Sequence, residues 1–382
     1  MARSAPELWC SVSLCVRPYI EDHSEFQAEL LDQWLQLAKA WPLSIVMTFD
    51  KDEVLKNDEA LENDEASEND EAFNSQSEEC LAALAAITSV ATSCSHQWEL
   101  LHLFLPFSWA KIFESGMGHC PNLRSLYLHI DVTERVDSFQ LSKPPFSTMF
   151  RHAPKLRTVT IGHEINVGLP YHQLEELTFW GYALPEGFLS ECTNLRIFRA
   201  HNCWLAPTSH VTVYLSKLVS LKIITFTPQH VLGYLVTSSL VSITIPLKGS
   251  EGIEAFSAFL THSGVTLKHL SIINYDPKEE KLLWKIFDAL PNLSHLEINK
   301  PFQSGLRFES PGRWLPSRRF FNYFSTPNMT SGGLPLPHLT SVKYRGQLKF
   351  QTSMKPGNVD SGDSVDVDTL EKLFLARWKI IV

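Results

Sequence analysis

The chain has 382 residues, 44% hydrophobic and 20% charged, with a formal net charge of −9. This balance suits a globular chain with a sizeable core. It excludes a membrane-spanning helix bundle, since no apolar run approaches the roughly 18 uncharged residues a span needs. The charge is local: Asp50–Glu79 holds thirteen acidic and two basic residues, a net −11, which leaves the remainder at +2 and gives no basic signal for nucleic acid.

Met1–Tyr19 lacks the layout of a signal peptide, because its apolar run is short and broken by Arg17-Pro18. Seven cysteines, an odd number without regular spacing, point to reduced thiols and a cytoplasmic or nuclear location.

Ser11–Val16 alternates as a strand does. Over Glu25–Ala40, Phe26, Leu30, Leu31, Trp34, Leu35 and Ala38 recur at helical spacing. Trp41-Pro42 ends that helix, and Leu43–Phe49 reads as a second strand. Residues 1–49 thus form a strand–helix–strand flank. Residues 50–77 repeat Asn-Asp-Glu-Ala every six residues, with almost nothing apolar to bury, and read as a disordered acidic insertion. Glu78–Ser93 is an Ala- and Leu-rich helix.

From there one phrase dominates. Leu174, Leu177 and Phe179 read L-x-x-L-x-F, and Leu195, Phe198, Ala200 and Cys203 read L-x-x-F-x-A-x-x-C. The phrase recurs at Trp98/Leu101/Leu103, Leu123/Leu126/Leu128, Leu156/Val159/Ile161, Leu218/Leu221/Ile223, Leu240/Ile243/Ile245, Leu267/Leu270/Ile272, Leu293/Leu296/Ile298 and, more weakly, Leu339/Val342/Tyr344. From Leu156 to Leu293 the copies start 18 to 27 residues apart. This is the leucine-rich-repeat pattern. Two apolar side chains on one face of a short strand cannot be buried by that strand alone, so units stack and share a core. The expected fold is an α/β leucine-rich-repeat-like solenoid over residues 78–382, with a parallel concave sheet and convex helices. Return helices are clearest at Glu251–Thr261 and Glu279–Leu290. Residues 300–337 read as an irregular insertion and 355–368 as an acidic loop before a last helix.

Several phrases together resemble a large group of fungal F-box proteins. They are Pro6-x-Leu8-Trp9, Leu31-Asp32-Gln33-Trp34-Leu35, Pro42-Leu43-Ser44-Ile45, His96-Gln97-Trp98, Leu105-Pro106-Phe107, Pro121-Asn122-Leu123-Arg124-Ser125-Leu126, Ala153-Pro154-Lys155-Leu156-Arg157 and the closing Leu370–Trp378. The resemblance implies the substrate-recognition part of an F-box ubiquitin-ligase receptor. It also implies a helical F-box before Ala5, which this chain lacks. Skp adaptor and cullin are therefore expected as partners only if an F-box is restored. The alternative is a structural scaffold with no ubiquitin-ligase link.

No G-x-S-x-G, P-loop, G-x-G-x-x-G or H-E-x-x-H is present. The reading is a non-enzyme without cofactor or metal, a monomer that binds a protein substrate and neither nucleic acid nor membrane. Gly116-x-Gly118-His119-Cys120 reads as a turn, not a catalytic pair, and Cys192, His201 and Cys203 match no common zinc spacing. Cys203 falls where the repeat wants Asn or Cys to satisfy backbone groups. With the leucines inward, strand parity turns Tyr127, His129, Thr158, Thr160, Thr178, Trp180, Arg199 and His201 outward. Lys222, Thr244, Ser271, Glu297, Asn299, Lys343 and Arg345 follow. Tyr127, His129, Trp180, Arg199 and His201 are the candidate partner-binding residues, being types enriched at binding hot spots.

Overall fold

The computed structural model describes residues 5–16, 21–49, 85–106, 110, 113, 119–131, 150–162, 167–181, 187–203, 212–225, 227–247, 249–273, 279–299, 318–327 and 334–345. The acidic insertion 50–77, the loop 355–368, the Leu370–Trp378 helix and most of 300–337 lie outside them. The chain forms two compact units, Met1–Pro185 and Glu186–Val382.

In the first unit six strands pair in parallel and in chain order: β1 (Ser11–Val16), β2 (Leu43–Phe49), β3 (Trp98–Pro106), β4 (Ser125–Asp131), β5 (Thr158–Gly162) and β6 (Glu176–Trp180). The strand–helix–strand flank is thus part of the ladder. In the second unit β7 (Ile197–His201), β9 (Ser220–Ile224), β11 (Ser242–Pro246), β12 (His269–Ile273), β13 (His295–Asn299) and β14 (Ser341–Arg345) do the same. A short parallel pair, β8 (Val213–Tyr214) with β10 (Leu235–Val236), lies in its return segments. Consecutive parallel strands joined by crossovers make this an α/β leucine-rich-repeat-like solenoid.

The phrase explains the ladder. Its first leucine closes a tight turn: Leu123 N–H donates to Cys120 O, Leu156 to Ala153 O, Leu195 to Cys192 O and Leu293 to Leu290 O, at 3.0–3.3 Å. Each strand then docks one rung on. Thr158 N–H donates to Arg124 O, Glu176 to Arg157 O, Ser220 to Arg196 O and His269 to Val241 O. The second and third apolar residues point inward, so Leu126, Leu128, Val159, Ile161, Leu221, Ile223, Ile243 and Ile245 are all buried. Each such burial contributes about 1.5–3 kcal/mol.

Helix α1 (Glu21–Ala38) buries Ala28, Leu31, Leu35 and Ala38, one stripe at i, i+3, i+7, i+10. Phe26 and Leu30, expected on that stripe, are instead exposed, and Leu8 and Trp41 are exposed with them. Trp34 is held by its indole N–H donating to Trp9 O at 2.7 Å and by an edge-on contact with the Trp9 ring. Residues 85–93 are helical, as expected.

The second unit has helices α2 (Phe188–Glu191), α3 (Pro228–Leu232), α4 (Gly249–Ser263), α5 (Glu280–Asp288) and α6 (Arg318–Ser325). Gly264 ends α4 at φ +59°, its N–H donating to Leu260 O, a left-handed cap that suits a residue without Cβ. Helix α6 corrects the reading of 300–337 as irregular throughout. It packs on α5 through Phe320 and Phe324, both fully buried, and Tyr323 stacks on Trp284 with centroids 5.4 Å apart. The signal for this helix is Phe320, Tyr323 and Phe324 at i, i+3, i+4, hidden among Ser, Gly and Pro.

Candidate functional site

In the first unit the candidate surface is the strand face opposite the core. Parity holds on β4: Leu126, Leu128 and Ile130 are buried while Tyr127 and His129 are half-buried on the other side. Register sets two rungs. His102, Tyr127, Thr160 and Thr178 share one, and Phe104, His129, Gly162 and Trp180 share the next.

The rungs are aromatic. The rings of His102 and Tyr127 lie 5.3 Å apart. Phe104 and His129 stack at 4.3 Å with planes 8° apart. Trp180 is 45% exposed at the end of β6. His102 and Phe104 were not among the expected site residues. Parity could have found them, since each sits between the inward residues Leu101, Leu103 and Leu105.

Gly162 makes the arrangement possible. A Cβ there would overlap the His129 ring, coming 3.0 Å from Cγ. The imidazole leans over the glycine, towards the strand that carries Trp180. Gly162→Ala is expected to swing His129 off Phe104 at little cost in stability, because a surface ring can rotate away. Loss of the His129 ring-current shift in NMR, with an unchanged melting temperature, checks it.

In the second unit Arg199 and His201 stand on β7, with Arg199 in register with Lys222 on β9 and His201 with Ile224. His201 has the outward parity expected of it, yet is only 6% exposed, which corrects its assignment to an open binding surface. Burial first, then the Lys222 and Arg199 cations, push its imidazole pKa down to about 4. It is therefore neutral in the folded chain at pH 7. Asn202 follows at φ +54°, a left-handed turn that Asn tolerates, and its N–H donates to Ile224 O at 2.6 Å. Cys203 is buried, and its thiol donates to His201 O at 3.1 Å.

The low His201 pKa has a sign. Between pH 6.5 and about 4 the unfolded chain takes up a proton at His201 and the folded chain does not. Stability is thus lost as pH falls through that window, by on the order of 3 kcal/mol. His201→Gln is expected to flatten the fall in urea midpoint between pH 7 and pH 4.5, and an unaltered slope would contradict it.

Cys120 and Cys192 are buried as well. Burial raises Cys120 and Cys192 to about 12, so neither is a ready nucleophile at pH 7. The His119 ring faces His152 at 6.1 Å. Among the described residues no group of three His, Cys, Asp or Glu could hold a metal ion, and no helix is long and apolar enough to cross a membrane.

No known protein family matches the chain, and no curated protein matches it. Eleven chains of solved structures are similar. One is a chain of a crystal structure of a TLR13–ssRNA13 complex, at 12% identity and a TM-score of 0.25, covering 69% of this chain. This chain spans about half of that one, 47%. At that distance the likeness carries no argument about ligand or partner.

Proposed function

We propose that the chain is a protein-binding repeat module and not an enzyme, with its strand faces as the recognition surfaces. The observation that carries this is the double aromatic rung of the first unit, with Tyr127, His129 and Trp180 joined by His102 and Phe104. These rings lie on rigid strands, so they lose little freedom when a partner covers them. Rigid aromatic side chains that present both an apolar face and a polar tip are the commonest anchors of protein interfaces.

The finer reading is substrate recognition for an F-box ubiquitin ligase. It is supported by the sequence resemblance alone. The test is affinity capture from native lysate with the chain and with a Tyr127→Ala/Trp180→Ala variant, read by mass spectrometry. A set of proteins retained by the first and lost from an equally folded second supports partner binding on this face. Identical capture by both contradicts it. Repeating the capture with an F-box segment fused upstream addresses the ligase: adaptor and cullin recovered together with that set support it. Recovery of the set without them leaves a repeat scaffold.

A further inference from the structure

We infer that the exposed flank of helix α1 in the first unit docks a basic amphipathic helix of a partner protein. The inference goes beyond the strand-face reading, because α1 is not part of that face.

The first observation is a second apolar stripe. The helix meets the core through Ala28, Leu31, Leu35 and Ala38. Phe26, Leu30, Trp34 and Leu37 run beside that stripe at i, i+4, i+8 and i+11. Phe26 is 57% exposed and Leu30 45%, while Trp34 and Leu37 are half-buried. The Trp9–Trp34 contact ties the short turn Pro6–Trp9 to this stripe, one helical turn past Leu30, and Leu8 of that turn is 62% exposed. An exposed Phe serves neither the core nor the helix, since Phe is a poorer helix former than Gln, Glu or Lys. Exposed apolar side chains gathered in one stripe mark an interaction surface.

The second observation is the sign of the charge around it. Helix α1 carries Glu21, Asp22, Glu25, Glu29 and Asp32 and no Lys or Arg. Glu29, Asp32 and, next to Leu8, Glu7 are exposed. Among the described residues Glu7 and Glu29 make no ion pair, and Asp32 accepts a hydrogen bond from Gln36 Nε2 at 2.7 Å. This sign selects the partner. A second copy would set the acids of α1 against each other, and an anionic membrane would be repelled in the same way. An apolar stripe bordered by Lys or Arg complements both features.

The third observation is shape. Phe26 to Leu37 spans roughly 16 Å along the helix axis, about three turns. A straight ridge of that length packs a second helix, ridge into groove. Amphipathic helices are read in this mode through anchors at i, i+3 or i+4, and i+7.

The experiment is fluorescence anisotropy with the full chain and a labelled fourteen-residue Leu/Lys peptide patterned as an amphipathic helix. A peptide of the same composition in scrambled order is the comparison. Residues 50–79 are acidic and attract any basic peptide, so both are also measured on a version with Asp58, Glu59, Asp64, Glu65, Asp70 and Glu71 changed to Asn or Gln. We expect saturable binding of the amphipathic peptide to both versions and, in the second, binding of the scrambled one at least about tenfold weaker. Phe26→Gln with Leu30→Gln, at exposed positions where Gln keeps the helix, is expected to weaken the amphipathic peptide at least about tenfold with unchanged far-UV circular dichroism. Phe26→Met retains binding within about threefold. Glu7→Lys with Glu29→Lys is expected to weaken it and flatten its salt dependence. Tyr214→Ser, at an exposed aromatic of the second unit, leaves it within about twofold. Binding that vanishes with the acids of 50–79, or that survives Phe26→Gln with Leu30→Gln, overturns the inference. So does a dimer in sedimentation that the same variant dissociates, which would seat a second copy there. Adsorption to phosphatidylcholine vesicles that this variant abolishes overturns it too, by making the flank a lipid contact. The Tyr127/Trp180 capture bears on the strand face alone, so either reading can fail without the other.

Discussion

Phe287→Ala is expected to lower the stability of the second unit by about 3–5 kcal/mol. Phe287 is 1% exposed, and its ring meets those of Phe320, Tyr323 and Phe324 at 6.2, 6.1 and 5.5 Å. Truncation removes one wall of a closed aromatic cluster whose other members are fixed on α6. The cluster cannot collapse, because Tyr323 is also held by its hydroxyl donating to Asp288 Oδ1 at 2.7 Å. In a stacked array each repeat is stabilised by its neighbours, so the damage stays near α5 and α6. Hydrogen exchange localises it: amides of 280–288 and 318–325 should lose protection together, while those of β3 and β4 keep theirs. A cost under about 1 kcal/mol would mean that α6 is not docked on α5.

Trp98→Ala is expected to destabilise the first unit by a similar amount, about 3–5 kcal/mol. Trp98 is fully buried at the start of β3, in register with Leu43 on β2, itself 1% exposed. It is the largest side chain in the layer that joins the flank to the repeats. Its indole N–H is buried with no hydrogen-bond partner among the described residues. Trp98→Phe therefore keeps most of the packing and gives up little hydrogen bonding, and should cost less than half as much. Urea unfolding of both variants checks this. Equal losses would show that the indole N–H, not the ring volume, is what the site requires.

The repeating phrase was legible because it is a local, periodic demand. Leu126/Leu128, Ile243/Ile245 and their counterparts had to face one way, and that sufficed to place nearly every strand and to turn Tyr127, His129 and Arg199 to the other side. Composition alone likewise set the charge of 50–79 apart from the repeats. Three features were not legible, for the same physical reason: they depend on neighbours distant in sequence. Helix α6 exists because Phe287, some thirty residues earlier, offers Phe320 and Phe324 a surface to bury against. His201 has the parity of an exposed residue but is covered, and burial with Lys222 keeps it neutral. The Phe104–His129 stack requires Gly162 on the next strand, and parity says nothing of which outward side chain needs an empty neighbour. The sequence by itself determined the parallel ladder and which side of each strand meets the core, since alternation and spacing are properties of the chain. Only the tertiary structure decided which outward side chains touch, which are covered and where like charges meet, since those follow from register between strands about twenty residues apart.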